Sequence, residues 1–147
     1  MSSQSLVLDD RVFVFETLLH VRAIEVNIDQ YLTLESLSAL LVEAREQFLH
    51  FKGVKDISGA HQGLVVDKLQ VHIISRARVR EALLFEVGIE QVEDNGGSIA
   101  IRVVRMSDNS LIAKSRQHFV NYDYRLQKIT TIDETLKQLL TPKPFLP

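Results

Sequence analysis

The stretch that most constrains this chain is Thr33–Gly53, TLESLSALLVEAREQFLHFKG, the one long run with a convincing helical period. At about 100° per residue, Leu34, Leu37, Leu41, Ala44 and Phe48 fall in one narrow arc, which Leu40 and Phe51 widen. That face predicts burial. Glu35, Glu43, Glu46, Gln47 and His50 collect opposite it, and Val42 and Leu49 extend the apolar zone until the helix needs cover on more than one side. Thr33 is placed to cap the N-terminus with Glu35 in the first turn, and Lys52-Gly53 supplies a cation and a C′ glycine at the other end. Everything after Gly53 reads as extended, so one helix has to serve a whole sheet.

Before it, Arg11–Arg22 reads as a strand apolar on both faces, with Val12, Val14, Glu16 and Leu18 on one side and Phe13, Phe15, Thr17 and Leu19 on the other. Residues Ala23–Leu32 have no clean period and predict a loop with a short turn. After the helix, Lys55–Gln62 is a polar connection. The runs Gly63–Ser75, Leu83–Glu93, Ser98–Arg105 and Leu111–Tyr122 then read as strands. Asp94-Asn95-Gly96-Gly97, with residues that tolerate positive φ, and Ser107-Asp108-Asn109-Ser110 join the last three into an antiparallel meander. Thr131-Ile132-Asp133-Glu134 has capping-box spacing ahead of Leu136, Leu139 and Leu140, predicting a short C-terminal helix. The three prolines follow it, so residues 142–147 read as a tail to a single domain over 1–141. The sum is an α+β fold, an antiparallel sheet curled around one long central helix. A sheet with two partly apolar faces calls for a second copy, so a homodimer is the expectation.

Composition narrows the functions. The 147 residues carry a net charge of −2 with both signs interspersed, which offers no broad basic surface for nucleic acid or an anionic membrane. There is no cysteine, hence no thiolate nucleophile or disulfide scaffold. The start, MSSQSLVLDDR, lacks a signal pattern and no apolar run approaches a membrane span, from which a cytoplasmic protein is expected. His20, His50, His61, His72 and His118 are scattered without ligand spacing, so no metal is expected; only His61, in a polar loop, invites titration near neutral pH. No Gly-x-Ser-x-Gly elbow and no phosphate-binding glycine loop is present.

The order of elements and several strings resemble the hotdog-fold thioesterases, in particular the branch typified by 4-hydroxybenzoyl-CoA thioesterase. Val21-Arg22 and Glu43-Ala44-Arg45 stand at that branch's spacing. Gly63-Leu64-Val65-Val66, Ala77-Arg78, Val120–Asp123 and Ile132–Leu140 continue the likeness, which covers about Val12 to Leu140. The resemblance implies an acyl-CoA thioesterase, with a coenzyme A thioester as substrate rather than a resident cofactor. It also implies a site between the subunits of a homodimer or dimer of dimers. The family's loop pattern, Asp-x-x-Gly-His-Val-Asn, is altered here. Asn27 stands at the aspartate, Gln30 and Tyr31 at the Gly-His pair, and Thr33 at the later asparagine. An amide is neither nucleophile nor base.

Thioester hydrolysis needs a carboxylate and donors aimed at the developing oxyanion. The helix start near Thr33 and Leu34 offers the donors. Asp29, two residues beyond Asn27, is the first candidate for the carboxylate, then Glu35 in the first turn, with Glu25 also within the segment. The bland alternatives are a solvated loop aspartate and a glutamate favoured by the helix dipole. Arg76, Arg78 and Arg80, spaced to project from one side of an extended segment, are candidates for the phosphates of coenzyme A, and Arg78 matches the family arginine. Tyr31 and Leu34 would line the ligand; Lys68 and Arg116 are peripheral candidates. The rival expectation is a hotdog protein that has lost hydrolysis and binds an acyl thioester or a partner protein.

Overall fold

A computed structural model of the chain describes residues 6–54 and 61–141. Most of the expected Lys55–Gln62 connection and the expected tail lie outside those residues. The central helix α1 spans Leu34–Phe51 and is capped as its sequence demands. Thr33 Oγ1 accepts from Ser36 N at 3.1 Å, which satisfies one orphan N–H of the first turn. At the far end Gly53 takes φ +84°, so that its N–H reaches His50 O and the N–H of Val54 reaches Leu49 O. This paired closure ends the helix through a conformation that glycine adopts without strain.

Five strands, β1 (Phe15–His20), β2 (Gln62–Ile73), β3 (Ala82–Val92), β4 (Gly96–Arg105) and β5 (Leu111–Asp123), form one antiparallel sheet in the order β1-β3-β4-β5-β2. The two-residue strand β6 (Lys128–Ile129) adds to the end of β5, and helix α2 (Glu134–Leu140) follows, with Asp133 capping Leu136 N. The expected meander is present, with β2 on the far side of β5. The sheet wraps α1, so one face packs on the helix: Phe85, Val87, Ile89, Ile99, Ile101, Val103 and Phe119 meet Leu37, Leu41, Ala44 and Phe48 in a single core. Burying each large side chain of this set stabilises by about 1.5–3 kcal/mol. This is the hotdog arrangement.

Three details depart from the sequence reading. Leu34 and Phe51, assigned to the apolar arc, are 49% and 65% exposed, as the first and last residues of the helix. Only Phe15–His20 of the expected first strand pairs with β3, and Asp10–Val12 is a 3-10 turn instead. That turn belongs to an arm, from Leu6 to Phe13, on the outer face of the sheet. Arg116 donates to Val7 O at 2.9 Å, Arg102 binds Asp10 at 2.7 Å, and Phe13 lies 4.6 Å from the Arg102 guanidinium. Finally, Gly96 and Gly97 are strand residues without positive φ. A Cβ on Gly96 would sit 2.0 Å from Phe119 O and one on Gly97 2.4 Å from Gln91 O, so close approach of neighbouring backbone requires them.

Candidate active site at the helix N-terminus

The loop before α1 is built by Asn27. Its Oδ1 accepts from the N–H groups of Asp29 and Tyr31, both at 3.1 Å, while Asn27 N donates to Tyr31 O and Gln30 N to Asn27 O. Gln30 closes this turn at φ 69°, the left-handed conformation that a glycine would take more cheaply. Asn27 therefore shapes the loop. Ile28 and Asp29 form its tip, with Ile28 94% exposed, and the Asp29 carboxylate makes no hydrogen bond to another described residue. Glu25 is buried, but its carboxylate turns back to accept from Arg22 N at 2.7 Å and from the Arg22 guanidinium at 3.0 Å. That hydrogen bond raises the pKa of the Arg22 guanidinium and keeps it charged.

Behind the loop lies a cleft of about 330 Å³ between the start of α1 and the ends of β2 and β5. Asn27, Leu32, Thr33, Leu34, Ile73 and Arg76 are among its lining residues, with Leu37, Ser75, Ala77 and Ile112 deeper in the fold. Thr33 N is occupied by Glu25 O at 3.1 Å, which leaves the N–H groups of Leu34 and Glu35 without acceptors among the described residues. They sit at the positive end of the helix dipole. The cleft can thus receive an oxygen bearing developing negative charge. Among the described residues no carboxylate lines it: Glu35 is exposed and Asp29 stands outside it.

Next to the cleft, and sharing Arg76 with it, is an open bowl of about 440 Å³ lined by Tyr31, Arg76, Arg78, Glu81, Arg105 and Asp108, with Ser107. Tyr31 and Arg78 pair as a backbone bridge. The Arg78 guanidinium donates to Tyr31 Oη at 3.0 Å, and that of Arg76 lies 3.9 Å from the centre of the Tyr31 ring. The hydroxyl that accepts from Arg78 pushes its guanidinium still higher than usual, which fixes the positive charge. Arg105 is held by Glu81 at 2.6 Å, by Asp108 at 3.2 Å and by Arg76 O at 2.7 Å. Arg80 does not join them. The chain turns at Val79, Arg80 takes φ 70° and its N–H binds Val21 O, so the extended alternation that would align three arginines ends at Arg78. Arg116 is likewise elsewhere, paired with Glu90 on the outer face, and Lys68 is exposed on β2.

The structure brings Asn27, Thr33, Leu34, Tyr31, Arg76 and Arg78 together. Sequence reasoning missed Arg105 and the cleft walls Ile73, Ser75 and Ile112, because their convergence depends on the register of β2 against β5. Among the described residues no group of three or more histidine and acidic side chains is placed to hold a metal ion, and no helix is long and apolar enough to cross a membrane.

No protein-family model matches the sequence, and no curated protein matches it. Solved structures do match the fold. A 1,4-dihydroxy-2-naphthoyl-CoA thioesterase from Synechocystis superposes with TM-score 0.78 at 15% identity, over 86% of this chain and 94% of that one. A probable thioesterase from Escherichia coli gives 0.75 at 19% identity, over 85% and 95%. A Staphylococcus aureus protein solved in complex with CoA gives 0.79 at 9% identity, over 99% and 94%.

Proposed function

We propose that the protein is an acyl-CoA thioesterase of the 4-hydroxybenzoyl-CoA thioesterase-like branch, acting as a homodimer, or a dimer of dimers, with its site at the subunit boundary. The observation that carries this reading is the continuity of the N-terminal cleft with the arginine bowl through Arg76. A coenzyme A thioester has that polarity: an acyl and pantetheine part without charge, ending in phosphates. The carbonyl lies against Leu34 N and Glu35 N, and the phosphates meet Arg76 and Arg78, whose planar forks suit phosphate oxygens. Thioesterase neighbours of the same fold, and one neighbour solved in complex with CoA, support the assignment.

Asp29 supplies the carboxylate, as base toward water or as nucleophile, from the exposed tip of the loop. Asn27 holds that tip in place through its two accepted hydrogen bonds, and Thr33 caps the helix whose N–H groups receive the oxyanion. Glu35 is the second candidate carboxylate. One observation favours the rival reading, a non-hydrolytic binder of acyl thioesters: the cleft contains Asn27 where a catalytic aspartate would be, and among the described residues no carboxylate lines it.

A panel of aliphatic and aromatic acyl-CoAs with a thiol-reactive dye separates the two. Thiol release that vanishes in Asp29→Ala supports hydrolysis through Asp29. Release lost in Glu35→Gln and kept in Asp29→Ala moves the role to the helix. CoA binding without release from any substrate establishes the binder. Asn27→Ala is uninformative, since it removes the acceptor of two loop N–H groups; Asn27→Asp keeps that acceptor and should raise the rate.

A further inference from the structure

The polar atoms of Asn27 can be accounted for one by one. Its backbone N–H donates to Tyr31 O, its carbonyl accepts from Gln30 N, and its Oδ1 accepts from Asp29 N and Tyr31 N. Turning the amide over would set an NH2 against two N–H groups, so the loop allows one orientation. What remains is Nδ2. It carries two N–H bonds and has no acceptor among the described residues.

This donor is within reach of a ligand, since Asn27 is exposed and is itself a lining residue of the N-terminal cleft, together with Thr33 and Leu34. The hydroxyl oxygens on the cleft wall are already engaged. Thr33 Oγ1 accepts from Ser36 N at 3.1 Å, and Ser75 Oγ donates to Leu111 O at 2.6 Å. Leu34 N, like Nδ2, lacks an acceptor among the described residues, and no carboxylate among them lines the cleft. The ligand atom that completes such a set is one that accepts: a carbonyl oxygen, and better still one gaining negative charge.

Resting on the thioesterase reading above, we infer that Asn27 Nδ2 binds the thioester carbonyl oxygen beside Leu34 N and is a donor to the oxyanion. Water adds to the carbonyl carbon as its proton passes to the Asp29 carboxylate, and the C=O electron pair moves onto the oxygen held by Asn27 Nδ2–H and Leu34 N–H. When the C–S bond breaks, its electron pair leaves on sulfur, which takes the proton back from Asp29 as the CoA thiol. A carboxylate at position 27 would turn lone pairs toward the same oxygen. An amide can fill this role and a carboxylate cannot, so base and oxyanion donor are divided between Asp29 and Asn27.

The test uses the full chain and two CoA analogues that release no thiol: a hexanoyl ketone in which a methylene replaces the thioester sulfur, and the same compound with its carbonyl reduced to CH2. Calorimetric titration should find the ketone about tenfold tighter than its reduced counterpart in the parent. Asn27→Asp keeps the acceptor that shapes the loop and loses the NH2, so there the two analogues should bind within about twofold of each other. The rise in rate expected of that variant belongs to turnover, which these analogues do not undergo. The carbonyl carbon NMR resonance of the ketone should move downfield on binding the parent and much less on binding Asn27→Asp, a signature that a purely loop-shaping Asn27 would not give. Equal affinity of the two analogues in the parent, or a ketone preference that persists in Asn27→Asp, would overturn the role of Nδ2 and leave the thioesterase reading standing. Binding of neither analogue would overturn both.

Discussion

Alanine at Gly88 would show that a missing methyl group seats the N-terminal arm. A Cβ there would stand 1.8 Å from Val12 O and 2.5 Å from Val12 C, both backbone atoms that no side-chain rotation can move aside. Ordinary contact needs at least 3.4 Å, so the arm has to lift by more than an ångström. Lifting it breaks the Arg116 bond to Val7 O, the Arg102–Asp10 pair and the contact of Phe13 with Arg102. Asp10 is largely exposed, so its pair contributes about 0.2–1 kcal/mol, and the cation–π contact about 0.5–1 kcal/mol. With about 1 kcal/mol for the bond to the Val7 carbonyl, the arm's hold is worth about 2–3 kcal/mol. Alanine returns about 0.4–1 kcal/mol by restricting the unfolded chain, leaving a net loss of about 1–2 kcal/mol. Urea titration of four proteins completes the cycle: the parent, Gly88→Ala, a chain lacking residues 1–13, and the combination. In the shortened chain the clash partner is gone, so alanine should be neutral or slightly stabilising. An equal cost in both backgrounds would refute the reasoning.

Three further outcomes are expected. Phe48→Ala, at a fully buried core position whose ring lies tilted against Phe15 at 5.8 Å, should cost about 3–5 kcal/mol in urea unfolding. His118 lies between Asp67 at 2.6 Å and Glu93 at 3.4 Å, and the hydrogen bond with Asp67, ahead of that with Glu93, raises its pKa above the ordinary histidine value. Its contribution to stability is therefore full below about pH 6.5 and is lost as pH rises through the folded-state value; His118→Asn should remove that pH dependence from urea midpoints. Arg78→Met should weaken CoA binding by about tenfold and flatten its dependence on salt, whereas Arg80→Met, pointing elsewhere, should leave calorimetric affinity within about twofold.

The architecture was legible where periodicity is strong. The arc of Leu37, Leu41, Ala44 and Phe48 fixed one helix to the core, and the alternation of Phe85, Val87 and Ile89 marked a strand with one face on it. Ends were harder to read, since the exposure of Leu34 and Phe51, the terminal residues of the helix, depends on tertiary packing that helical periodicity does not report. The site was legible only as a set of residue types near the helix start. That Asn27 folds the loop through its own carbonyl, or that Arg80 turns away while Arg76 stacks on Tyr31, follows from local dihedral angles that composition does not encode. Ser115, Gln117 and Asn121 occupy inward positions of β5, where an apolar side chain would be the rule.

The bulge of β2 at Asp67, between Val66 and Lys68, also bears on how such a chain keeps company in a crowded cell. A straight, bare margin of twelve residues would be an invitation to endless stacking, molecule upon molecule. Here the rim bends in its middle, so a neighbour aligned with one limb diverges from the other. The opposite rim is half as long and presents Glu16, Leu18 and His20 outward. Strand-by-strand growth along these borders is discouraged by geometry together with the exposed charges beside it.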